Sequence, residues 1–231
     1  MIGRAISTLV MLATCSRTPP AADHVKQSRE AGAMSGDPAP ASGCTASPEL
    51  QAVLAREPLS SFILPQGSGR AALATLGTTP DALHAAGLDG ACPNPVRLAA
   101  LEAWIALAGE GVLQKLDDTT ATAIATVQAE ALRTTDDAGI WGLPPDVVQS
   151  EVSRHLIIVG RRALPQLRPL LDDLRLLPYA GSEISAVASL KKYRVADLAA
   201  GLLAVILGAP YQDDRAPTVR DAQLADLRTR T

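Results

Sequence analysis

Few residues in this 231-residue chain stand at spacings that do chemistry. Asp-Asp pairs begin at positions 117, 136, 172 and 213, and paired carboxylates can hold a metal or share a proton. Metal loops interleave their ligands as D-x-D-x-D with a distal Glu. The pairs here do not. Each sits beside a predicted helix end or in a loop, where Asp caps free N–H groups. Ser189 and Lys192 fit S-x-x-K, which sets a hydroxyl near an amine on one helix face, but the S-x-N and K-T-G partners such a site needs are missing. That segment reads as an exposed helix face. The three histidines, at 24, 84 and 155, have no ligand spacing, and no cysteine stands in a C-x-x-C pair. His155 has no Ser, Cys or acid assignable as its partner, so it reads as a packed or surface residue. Gln66-Gly67-Ser68-Gly69-Arg70 is glycine-rich and precedes a helix. It could hold an anion there, but with no preceding strand it reads as a flexible connection. No motif calls for a cofactor or a metal.

One region stands out for its aromatics. Trp141 lies in a loop, Gly139-Ile140-Trp141-Gly142; Tyr179 lies in Pro178-Tyr179-Ala180; and Tyr193 precedes Arg194. Large aromatics on loops are typical contact anchors. On that reading Trp141, Tyr179, Glu183, Tyr193 and Arg194 form a contact or ligand surface. The competing reading has Trp141 plugging a gap between helices.

The elements that must position these residues are helices. Hydrophobic residues make up 47% of the chain and aromatics only 3%, so a core must be built from Leu, Ala, Val and Ile. Ala and Leu favour helix, while strand formers are few. The formal net charge of −3 offers no basic face for phosphates, and the scarcity of aromatics removes a base-stacking platform. Nucleic acid is therefore not an expected partner.

The first residues, MIGRAISTLVMLATC, place one Arg before an apolar run that is too short to span a bilayer. Leu12-Ala13-Thr14-Cys15 resembles the lipobox of bacterial lipoproteins, whose cysteine is lipidated and becomes the first mature residue. The resemblance implies export, a lipid on Cys15 and a location in the cell envelope, with the membrane met only through the anchor. Residues 16–48 are rich in Pro, Ala, Ser and Gly, without periodicity, and read as a disordered tether. If Cys15 carries lipid, Cys44 and Cys92 remain, and an oxidising compartment lets them pair; in a cytosolic protein they would be two free thiols.

Residues 49–231 read as a single all-α domain. Ser47-Pro48 opens a helix; Ser68 caps one running to Gly77; Thr79-Pro80 opens one stopped by Gly87; and Asn94-Pro95 opens the clearest, with Leu98, Leu101 and Ile105 on one face and Gly109 as its stop. Helices follow to Leu116, from Thr119 to Leu132, and from Pro145 to Gly160. Then come a segment kinked at Pro165 and Pro169, a helical region ending at Gly208, and a last helix near Thr218. The architecture expected is an irregular bundle of short helices or an α-solenoid.

Residues 150–208 resemble a HEAT-type helical repeat in Ala163-Leu164-Pro165-Gln166-Leu167, Leu171-Asp172-Asp173 and Arg194-Val195-Ala196-Asp197. The resemblance implies that Arg194 reaches back to Asp172 or Asp173 and sets the angle between two helices. The functional expectation is an envelope lipoprotein acting as a non-enzymatic interaction module for a protein partner. The alternative is an enzyme or ligand binder at the Trp141 and Tyr179 loops, drawing on Glu183, His155 or Arg194.

Overall fold

The computed structural model describes residues 43–144, 146–180, 182–213 and 216–231. Cys15 and the tether up to residue 42 lie outside the described residues, as does the side chain of Glu183. Eleven α-helices follow one another: α1 Pro48–Arg56, α2 Ser60–Ile63, α3 Ser68–Thr75, α4 Pro80–Leu88, α5 Asn94–Ala108, α6 Asp118–Thr134, α7 Glu151–Val159, α8 Leu164–Leu167, α9 Ser182–Lys191, α10 Val195–Leu207 and α11 Pro217–Arg230. Short 3-10 turns at Glu110–Lys115, Ala138–Trp141, Asp146–Gln149, Gly160–Ala163 and Arg168–Asp172 link them. Among the described residues there is no strand, only an isolated antiparallel bridge between Leu176 and Arg194. The described part is all-α, as composition implies. No helix among the described residues is long and apolar enough to cross a membrane.

Local chemistry explains the starts and stops. Side chains of Ser47, Thr79, Asp117 and Ser150 accept the backbone N–H groups of Leu50, Ala82, Thr120 and Ser153, satisfying donors that a first helical turn leaves free. Gly109 ends α5 at φ +85°, a conformation that disfavours any residue with a Cβ. Two expected boundaries move. Ser68 lies inside α3 rather than capping it, because its hydroxyl donates to Glu57 Oε2 at 2.6 Å. Gly87 lies inside α4 rather than stopping it. A Cβ there would meet Leu101 Cγ at 2.5 Å, so this glycine lets α4 press against α5.

The core is aliphatic. Leu98, Leu101 and Ile105 of α5 are buried, as are Val195, Leu198 and Leu202 of α10. A disulfide joins Cys44 to Cys92, whose Cα atoms are 4.6 Å apart, and ties the start of the described chain to the turn before α5.

The expected link from Arg194 to Asp172 or Asp173 does not form. Arg194 bonds Asp197 at 3.0 Å and Asp221 at 2.7 Å. Asp172 instead pairs with Arg228 at 2.8 Å, and Asp173 with Arg175 two residues on. The acidic turn is still fastened to the start of α10, but by backbone: Ala196 N–H donates to the Asp173 carbonyl at 2.9 Å and Val195 N–H to the Arg175 carbonyl at 3.0 Å. With those bonds made, Arg194 turns toward the nearer acids of α10 and α11.

Candidate functional site

Trp141, at the end of its 3-10 turn, has no exposed surface, which rules it out as a contact anchor and makes it an interior plug. Its carbonyl accepts the Ser153 hydroxyl at 2.6 Å, so α7 is bolted over it. The two tyrosines do converge on this segment. The Tyr179 hydroxyl donates to the Gly142 carbonyl at 3.3 Å, the Tyr193 hydroxyl to the Pro144 carbonyl at 2.9 Å, and their ring centroids are 6.4 Å apart. Burial pushes both phenols well above their ordinary pKa. They are committed donors inside a wall, and Tyr193 is 2% exposed. Tyr179 is half-buried.

The Asp pairs act as helix ends and clamps. Asp117 caps α6, and Asp137 accepts the N–H groups of Gly139 at 2.9 Å and Ala180 at 3.2 Å. Asp213 holds Lys191 at 2.8 Å, and the S-x-x-K residues Ser189 and Lys192 are both exposed, as an outer helix face requires. At the glycine-rich turn, Gly69 N–H is taken by the Ser61 hydroxyl at 3.2 Å, and Arg70 donates to the carbonyls of Phe62 and Ala106. Its donors face the protein rather than an anion.

Two buried polar clusters carry the strongest electrostatics. The first lies where α5, α6 and α7 meet. Glu102 is fully buried; its Oε2 is 2.6 Å from His155 Nδ1 and its Oε1 accepts from Gln128 Nε2 at 3.0 Å. On the outer side, His155 Nε2 is 3.5 Å from Glu110 Oε1, and Arg154 clamps that same carboxylate. Burial works against a charged imidazole here, but the hydrogen bond and charge of Glu102, helped by Glu110, outweigh it and raise the His155 pKa above its ordinary value. Bonding to Arg154 lowers the pKa of Glu110.

The second cluster lies between α10 and α11. Asp197, fully buried, accepts the backbone N–H of Arg194 at 2.9 Å and the guanidinium groups of Arg194 and Arg220 at 3.0 Å each. Its place three residues into α10, bonding back to the residue before the helix, makes one half of a capping box. Arg220, fully buried, also donates to the carbonyls of Lys191 and Lys192 and lies over the Tyr193 ring, 5.7 Å from its centroid.

Neither cluster brings a nucleophile to a base. Both His155 ring nitrogens face carboxylates, Nδ1 toward Glu102 and Nε2 toward Glu110. Sequence reasoning misses Glu102, Gln128 and Arg220, and it names Asp197 only beside Arg194 in the HEAT-like segment. A signal existed for Glu102 and Gln128: each occupies the apolar stripe of its helix, with Leu98 and Ile105 on α5 and with Ile124 and Leu132 on α6. A polar residue on a buried stripe demands a partner.

Four surface clefts are lined by other residues. Two of them, about 310 and 200 Å³, share Leu59 and Ile140 and so form one trough beside α2. Leu54 and Leu64 are among its apolar lining residues, and Glu57, Asp136 and Glu151 are its acidic ones. No family model matches the chain, and no curated protein or solved structure shows significant similarity to it.

Proposed function

We propose that this chain is an exported cell-envelope lipoprotein, anchored through Cys15, whose helical domain docks a protein partner. The observation that carries the docking half is the trough. Its lining includes three carboxylate residues and no Lys or Arg, and Leu64 within it is 57% exposed. Arg56 and Arg154 approach Glu57 and Glu151 at 3.6 and 3.8 Å, but neither lines the trough. An apolar lining with acidic residues among it suits a segment whose apolar side chains are flanked by Lys or Arg. The resemblance of residues 150–208 to a HEAT-type pair belongs to the same proposal and is supported by the packing of α10 against α8 and the Arg168–Asp172 turn.

The lipobox-like Leu12–Cys15 supports the anchoring half, and the Cys44–Cys92 disulfide fits an oxidising compartment. Lipid labelling and membrane fractionation of the wild type and Cys15→Ser test it. Label and membrane association are expected in the first and lost in the second; an unlabelled, freely soluble wild type would overturn it. For the docking half, a photo-crosslinker is placed at position 64 and, as a control, at exposed position 205. An adduct is expected only from position 64, mapping to a partner peptide with basic residues beside apolar ones. No adduct from 64, or equal adducts from both, would overturn the trough as the docking face.

A further inference from the structure

The corner that holds the disulfide also holds a third ligand-type group. Sγ of Cys44, Sγ of Cys92 and a carboxylate oxygen of Asp89 all lie within 4.8 Å of one another. We propose that reduction of this disulfide converts the corner into a binding site for a zinc-class divalent cation, held by the two thiolates and Asp89. The inference is independent of the lipid anchor and of the trough.

The geometry persists without the S–S bond, because other contacts keep the three groups together. Thr45 N–H donates to Asp89 Oδ2 at 2.6 Å, and Ala91 N–H donates to Asp89 Oδ1 at 2.9 Å. Cys92 N–H donates to the Asp89 carbonyl at 3.1 Å. Ala46 is buried and its carbonyl accepts from Gln51 Nε2 at 2.9 Å, so the chain next to Cys44 is seated on α1, which packs against α5. Cys92 is thus held through Asp89, and Cys44 through Thr45 and Ala46, the two residues that follow it. A tetrahedral zinc ion needs such ligand atoms about 3.3–3.8 Å apart. Cys92 Sγ already lies 3.5 Å from Asp89 Oδ2, and the two sulfurs, released from a bond of about 2 Å, move apart by about 1.7 Å to take their places.

The chemistry balances simply. A small dithiol reductant gives two electrons and two protons to the disulfide, which becomes two thiols while the dithiol becomes a disulfide. The cation then displaces the two thiol protons, binding the thiolates and one carboxylate oxygen. Three protein ligands leave a fourth position for water. Two thiolates with one carboxylate select a borderline-soft cation over Mg²⁺ or Ca²⁺, which prefer all-oxygen cages. Reoxidation removes the thiolates, so the disulfide and the metal exclude each other.

The test uses the full chain carrying Cys15→Ser, so that only these two thiols remain. Oxidised and dithiol-reduced protein are titrated with Co²⁺ without oxygen, reading thiolate-to-cobalt absorption, and with Zn²⁺ against a chromogenic chelator; circular dichroism follows the fold. One equivalent is expected to bind the reduced chain and none the oxidised chain. Asp89→Asn should weaken binding by about 10-fold or more, and Cys92→Ser should remove the two-thiolate signal. Equal uptake by oxidised and reduced chains would overturn the proposal. So would undiminished binding by Asp89→Asn, or loss of the helical fold on reduction.

Discussion

Two fully buried carboxylates do similar work in different halves of the domain. Glu102 fastens α5 to α7 and α6 through His155 and Gln128, and Asp197 fastens the start of α10 to α11 through Arg194 and Arg220. Both sit on helix faces that otherwise bury only apolar side chains, and both give up solvation that their partners must replace. The difference is the counter-group. A guanidinium keeps its charge at any ordinary pH, so the Asp197 cluster is fixed. An imidazole gains and loses its charge near neutrality, so the Glu102 cluster is strongest only when His155 is protonated. One device yields a permanent pin or a pH-dependent one according to the base opposite the carboxylate.

The comparison breaks most visibly at Asp197. Asp197→Ala removes the buried carboxylate that faces the guanidinium groups of Arg194 and Arg220 and should cost about 3–5 kcal/mol, read as a lowered denaturant midpoint. A loss below about 1 kcal/mol would mean that the cluster carries no net weight. The double change Asp197→Leu with Arg220→Met should recover most of that loss, because it removes the two fully buried charges together and leaves Arg194 its pair with Asp221. Glu102→Gln keeps a hydrogen-bonding group of the same shape and should cost about 1–3 kcal/mol at pH 6, and less at pH 9, the direction in which His155 gives up its proton. A cost equal at both pH values would erase the distinction between the two clusters. Arg194→Ala should cost about 1–2 kcal/mol, since Arg220 and the backbone N–H of residue 194 still hold Asp197. Asp172→Ala should fall within about 0–1 kcal/mol, because its side chain is 75% exposed beside Arg228. A larger effect there would return to the acidic turn the role that its backbone bonds now fill.

Much of the fold was legible. Ser47-Pro48 and Thr79-Pro80 mark starts because cap and proline act within a few residues, Asn94-Pro95 does so through its first-turn proline without a cap bond, and Gly109 and Gly208 mark stops by equally local means. Gly87 misled because its cause is long-range: it is glycine to admit Leu101 from the next helix. Trp141 leaves two readings open for the same reason, and its lack of exposed surface agrees with the interior plug. Its neighbours Gly139 and Gly142 describe a loop, while the α7 serine that covers it lies 12 residues on. For Arg194 the expected partner, Asp172 or Asp173, is misplaced, because the backbone bonds that satisfy the acidic turn cannot be read from side-chain types. The Glu102–His155 pair spans 53 residues, and no local pattern links its two members.

The most direct test is the pH dependence of unfolding free energy for the wild type and His155→Gln, measured from pH 5.5 to 8.5. The folded-state pKa of His155 is raised, so its contribution is fully present below the unfolded-chain value of about 6.5 and is lost as pH rises through the folded value. The wild type should therefore exceed His155→Gln by the widest margin at the acid end, with the margin shrinking steadily toward pH 8.5. A margin that stays constant or grows with pH would contradict the claim that the base facing each buried carboxylate sets how that part of the molecule answers to protons.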